Sequence, residues 1–135
     1  MRTGGCQCGH LRYEIDAEPV DLYACHCREC QKQSGSAFGI SAIFPLAAVR
    51  IVAGEPKIWT RPTDSGNTTD CYFCPECGSR IMHVGTLDRA MTAIKGGSLD
   101  EPLDMSAAKH IWTKRTISGI PVPDGHENWP GEPPD

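Results

Sequence analysis

Apolar residues nowhere recur at helical spacing over a dozen positions, whereas short runs of alternating or β-branched residues recur throughout the chain. The pattern predicts a mainly β protein. Candidate strands are Leu11 to Ile15, Phe38 to Phe44, Val49 to Val52, Lys57 to Thr60, Arg80 to Val84, Met91 to Lys95 and His110 to Trp112. Clusters of Gly, Pro, Asp or Ser punctuate them, as expected of folded-over sheets joined by turns. One short helix is predicted after Cys27, where "RECQKQ" supplies helix formers and "SG" a stop.

Residues 62–70, "PTDSGNTTD", read as an exposed polar loop, and "IKGGSLD" reads as a turn because its glycines lack the strand-to-helix setting of a phosphate loop. Trp59 and Trp112 are expected as core anchors. His10, His83 and His110, in or beside strands, are expected to pack or to bond to the backbone. The segment from Pro121 holds five of the eleven prolines, which divides the chain into a folded unit, residues 1–120, and an irregular Pro-rich tail, residues 121–135, with Trp129 as its anchor.

A length of 135 residues suits one domain with a modest core. The net charge of −4 argues against nucleic acid as the main partner, since such domains carry a basic face. The run around Ala37 to Val52 is interrupted by Gly39, Ser41, Pro45 and Arg50, so no membrane span is expected. No apolar stretch separates the N-terminal Arg from the first cysteine, as a signal peptide would require. A cytoplasmic location follows, where clustered cysteines serve metals or catalysis more often than disulfides.

The eight cysteines fall into three groups: Cys6 and Cys8; Cys25, Cys27 and Cys30; Cys71, Cys74 and Cys77. Structural zinc sites join two short chelating turns from distant parts of a chain. The knuckle Cys74-x-x-Cys77-Gly78 could pair with Cys27 and Cys30, or with Cys6 and Cys8, which also precede a glycine. Chain logic favours the second pairing. It leaves Cys25, Cys27 and Cys30 together, and a three-ligand metal keeps a position for water or substrate. A competing scheme uses Cys71 to complete a second four-thiol site, giving two closed centres and no chemistry.

The stretches "GGCQCGHLRYEI", "CHCRECQKQSGSAF" and "FCPECGSRI", with the weaker "KHIWTKR", resemble the glutathione-dependent formaldehyde-activating enzyme family, also called the centromere-protein-V family, over residues 4–115. The resemblance implies an Mss4-like β fold with two zinc ions. One is a structural zinc at Cys6, Cys8, Cys74 and Cys77, the other a catalytic zinc at Cys25, Cys27 and Cys30. It also implies a carbon–sulfur lyase, S-(hydroxymethyl)glutathione synthase-like, that adds glutathione or a similar thiol to formaldehyde or another small aldehyde. Arg28 and Lys32, which flank the second set, could hold a carboxylate of the anionic thiol, and His26 or Glu29 could move a proton. Cys71 matches no ligand position of the family, and "TISGIPVPDG" stands where relatives are rich in aromatics. Two other readings use the same thiols: a zinc-stabilised interaction module without enzymatic activity, and a zinc-exchanging or redox-sensing protein with Cys71 as resolving partner.

Overall fold

The computed structural model describes residues 1–134; Asp135, the last residue of the expected tail, lies outside the described residues. Ten strands and one α-helix are found among them: β1 (Arg2–Gly5), β2 (Arg12–Ile15), β3 (Asp21–Cys25), α1 (Arg28–Ser34), β4 (Gly39–Pro45), β5 (Val49–Ala53), β6 (Lys57–Pro62), β7 (Thr68–Phe73), β8 (Arg80–Gly85), β9 (Met91–Lys95) and β10 (Lys109–Ile111). They form a three-stranded sheet, β1-β2-β5, and a seven-stranded sheet, β10-β3-β4-β9-β8-β7-β6. Every ladder is antiparallel except that of β10 with β3. The fold is the mainly β class of folded sheets that the pattern predicts.

The main core lies where β2 meets the long sheet. Strand alternation turns Tyr13 and Ile15 inward while Arg12 and Glu14 face outward. Tyr13, Ile15 and the adjacent Leu11 pack with Phe44 of β4, Ile81 and Met82 of β8 and Ile94 of β9, and Cys6 and Cys74 belong to the same core. A smaller cluster at the far edge joins Cys25, Cys30 and Ile111, with Tyr23, Trp112 and Trp129 packed against it.

Three strands run where the pattern shows none. β1 is masked by its glycines and β3, "DLYAC", by its lack of β-branched residues. β7 begins at Thr68, inside the stretch expected to be loop, because pairing with both β6 and β8 outweighs its polar composition. Trp59 is also not a core anchor. It is 49% exposed on β6, the edge of the long sheet, with the Arg80 guanidinium 5.4 Å from its ring. Trp112 is half-buried and adopts a left-handed backbone conformation, φ 57°, with its indole N–H donating to Glu132. Beyond residue 120, His110 bonds through its own N–H to the Glu127 carbonyl and through its own carbonyl to the Trp129 N–H, which lays this segment along β10. No helix among the described residues is long and apolar enough to cross a membrane.

Candidate functional site

Two turns from distant parts of the chain bring four sulfurs together. Cys6 follows β1, Cys74 follows β7, and the Sγ atoms of Cys6, Cys8, Cys74 and Cys77 all lie within 4.8 Å of one another. Cys6 and Cys8 are 3.6 Å apart at sulfur, and Cys8 and Cys74 3.8 Å. A tetrahedral zinc with Zn–S bonds of about 2.3 Å requires S···S edges of about 3.8 Å, so the spacing fits. Both knuckles turn on a glycine of positive φ. Gly78, at 80°, donates its N–H to the Cys74 carbonyl, and Gly9, at 84°, donates to that of Cys6.

Backbone amides also aim at sulfur: Leu11 N–H at Cys6 (3.2 Å), and those of Glu76 and Cys77 at Cys74 (3.3 and 3.4 Å). Such bonds stabilise thiolate over thiol. The Cys77 thiol is held at about 5, first by the Ser79 side chain and then by backbone amides.

The second cluster grows from one junction. β3 ends at Cys25, Cys27 caps α1 with Sγ accepting the Cys30 N–H at 3.2 Å, and Cys30 lies in the first helical turn. Their three sulfurs lie within 4.8 Å of one another, and among the described residues no fourth Cys, His, Asp or Glu joins them. Cys71 belongs to neither cluster. The Cys27 thiol is pushed strongly down, first by the hydrogen bond from Cys25, then by Cys30 and the backbone amides at the helix start, while Cys25, as the donor, is pushed up. Hydrogen bonds from the helix-start amides thus favour thiolate at Cys27, the form a metal or an electrophile meets.

His26, between two of these cysteines, faces away from them. Fully buried, it places Nε2 2.9 Å from His110 Nδ1, and its own Nδ1 has no partner. Gln31 Nε2 ties this turn down by donating to the carbonyls of His26 and Arg115. Arg28 is exposed and bonded to the Gln31 side-chain oxygen. Lys32 and Glu29 are exposed on the rim of a cavity of about 230 Å³ that has Cys30 in its wall. His10 is exposed and His83 half-buried.

Lys95, which the pattern did not single out, lies in the wall of the same cavity. It ends β9, is buried, and donates from Nζ to His83 Nδ1 at 2.7 Å. His83 is held at about 3, first by burial and then by Lys95, Arg61 and Arg80, and so stays a neutral acceptor. The available signal was a lysine ending "MTAIK", where a strand buried on both faces would carry an apolar residue. Gly39, paired with Cys25 across the β3–β4 ladder, also has a site role. A Cβ there would stand 3.2 Å from Cys30 Cβ and 3.5 Å from its sulfur.

A crystal structure of a Rhodobacter sphaeroides protein shares the fold, with a TM-score of 0.61 and 21% identity over 80% of this chain and 98% of the other. A Penicillium rubens protein provisionally named as a glutathione-dependent formaldehyde-activating enzyme is 33% identical over 79 residues, 57% of this chain and 40% of its own length. A Sordaria macrospora protein with the same provisional name is 25% identical over 73 residues, 54% of this chain and 30% of its own length. The matches thus span less than half of these curated relatives. The family model described as glutathione-dependent formaldehyde-activating enzyme matches residues 1–115, and the chain belongs to that family.

Proposed function

We propose that this protein is a zinc-dependent carbon–sulfur lyase-type enzyme that adds glutathione or a related thiol to formaldehyde or another small aldehyde at Cys25, Cys27 and Cys30. The observation that carries the reading is a set of three sulfurs within 4.8 Å of one another, without a fourth ligand among the described residues, beside a cavity that Cys30 lines. Zinc held there would keep a bound thiol deprotonated at neutral pH. Cys6, Cys8, Cys74 and Cys77 would hold the structural ion, and residues 1–120 would form the catalytic unit, with 121–135 as its tail.

In the forward direction the thiol sulfur forms a bond to the aldehyde carbon, the carbonyl electron pair moves to oxygen, and the thiol proton ends on that oxygen. The chain's own residues place the reactants. Cys27, as helix cap, and Cys25, as strand end, fix the sulfurs from two rigid elements, and Gly39 leaves room at Cys30. Lys32 on the rim, with Arg28 beside it, offers positive charge to an anionic thiol.

Zinc content of the purified protein together with exchange NMR of glutathione and formaldehyde tests this reading. Two zinc ions per chain and faster exchange between free and thiol-bound formaldehyde are expected. Full zinc content with no acceleration for any aldehyde would refute it.

A further inference from the structure

Two cavities share a wall next to the three-cysteine cluster, and they differ in size and charge; of the three cysteines, only Cys30 is in a wall, that of the smaller. The larger, about 740 Å³, reaches Gly5, Arg12 and Asp100, and the smaller, about 230 Å³, has Cys30 in its wall. Gln33, Arg80 and Lys95 line both. Sites for drug-sized ligands occupy about 300–1,000 Å³, so an elongated thiol fits the larger cavity, whereas the smaller, not much larger than the roughly 150 Å³ that holds benzene, suits a reactant of about ten heavy atoms or fewer.

The smaller cavity is lined by four basic side chains, Lys32 on the rim, which the reading above gives to the thiol, and Arg61, Arg80 and Lys95 within, and by one carboxylate, Glu29, in a chain whose net charge is −4. Five other Lys or Arg side chains have carboxylate partners, but none of these four does among the described residues. Arg80 lies over the Trp59 ring, Arg61 reaches the Pro62 carbonyl at 3.1 Å, and Lys95 bonds to neutral His83. The arginines remain charged at every working pH, and Lys95, which burial pushes toward the neutral form, has the Cys30 and Cys71 sulfurs near it but no carboxylate partner. Formaldehyde itself carries no charge for these groups to hold, and the single oxygen that becomes negative during addition needs only one of them.

We propose that the smaller cavity is a carboxylate subsite for the electrophile, so that the preferred aldehyde is a small acidic one, its carboxylate held by Arg80, Arg61 and Lys95 and its carbonyl carbon toward Cys30. The proposal rests on the thiol-addition reading above and leaves its chemistry unchanged: the S–C bond forms, the thiol proton ends on the former carbonyl oxygen, and no oxidant or reductant takes part.

Glyoxylate and methylglyoxal form a matched pair of probes, since a methyl group replaces the charged oxygen. Exchange NMR with glutathione on the zinc-loaded full chain should give a kcat/KM at least about tenfold higher for glyoxylate, the scale of one charge-assisted hydrogen bond. Arg80→Gln and Arg61→Gln should each lower the glyoxylate-to-methylglyoxal ratio by about tenfold. Oxamate, an unreactive carboxylate analogue, should bind in calorimetry and weaken similarly in both variants.

Equal efficiency for the two aldehydes, with formaldehyde exchange accelerated, would overturn the subsite and leave the thiol-addition reading standing. No acceleration with any aldehyde, but oxamate binding that depends on Arg80, would refute that reading while supporting the anion subsite. Variants that raise the KM for glutathione but not for 2-mercaptoethanol would move the carboxylate to the thiol and overturn the assignment. Variants that lose zinc without changing the ratio would assign the cations to the thiolates instead, which also overturns it.

Discussion

Replacing Cys74 or Cys27 with serine removes one sulfur from each cluster, and the structure gives the two losses different sizes. Cys8 and Cys74 lie 66 positions apart, and in the chain-entropy model a cross-link closing a loop of that length stabilises the folded state by about 4 kcal/mol. Cys74 is also fully buried in the main core, where two backbone amides point at its sulfur. Cys25 and Cys30 close a loop of about six residues, for which the same model gives about 2 kcal/mol. That loop is already held by the helix cap and by Gln31.

Domains of this size have a total stability of about 5–15 kcal/mol, so the difference decides whether a variant survives. Urea unfolding with parallel zinc analysis should show Cys74→Ser destabilised by about 4 kcal/mol or failing to fold. Cys27→Ser should fold, lose about 2 kcal/mol or less and retain one zinc. If Cys27→Ser lost both metals or fell as far as Cys74→Ser, the separation into a closed structural set and an open reactive set would be wrong.

Gly39→Ala should weaken metal binding at the second cluster about tenfold and cost about 1–3 kcal/mol, the usual penalty of overpacking, because the new methyl group displaces the Gln33 amide and presses on Cys30; unchanged metal affinity would refute the crowding argument. Tyr13→Phe should cost about 1 kcal/mol in urea unfolding through loss of the 2.6 Å hydrogen bond to Ser98. Asp100 is held at about 2, first by Arg12 and then by Thr3, below its unfolded value. Its contribution is therefore full above about pH 4 and disappears as the pH falls through about 2, so the stability gap between wild type and Asp100→Asn should close over that acid range in pH-resolved urea titrations.

Much of the long sheet was legible because its strands alternate and are punctuated by turns, and α1 was legible because helix formers follow Cys27 and Gly35 ends the run. The sequence signals failed where pairing, not composition, makes the strand. Thr68 to Asp70 carry no apolar residue, yet each lies opposite partners in β6, and Asp70 is paired with Arg89. Trp59 misled because an aromatic in a strand reads as buried, whereas membership of an edge strand depends on the completed topology. The meeting of Cys6 and Cys8 with Cys74 and Cys77 was legible because each knuckle ends in a glycine. The cations around Cys30 were not, since Arg61, Arg80 and Lys95 come from three different strands that converge only after the sheet forms.

The same topology determines where the second cluster is open. Neighbouring residues in extended chain face opposite sides, so along "CHC" Cys25 and Cys27 share one side and His26 takes the other, where His110 receives it. A histidine that could have supplied the fourth ligand is thus turned into the interior by the period of the strand it follows. Cys27 and Cys30 are three positions apart at a helix start, a spacing that brings them to one face. Three ligands from six residues exhaust what this junction can present on that side. The facing strand offers none, since the residue opposite Cys25 is Gly39, and Cys71 of β7, though in the wall of the same cavity as Cys30, does not join the three sulfurs. The cavity beside Cys30 is bounded by Lys95, Arg80 and Arg61 and by Cys71, so whatever occupies it meets basic side chains on one side and sulfur on the other.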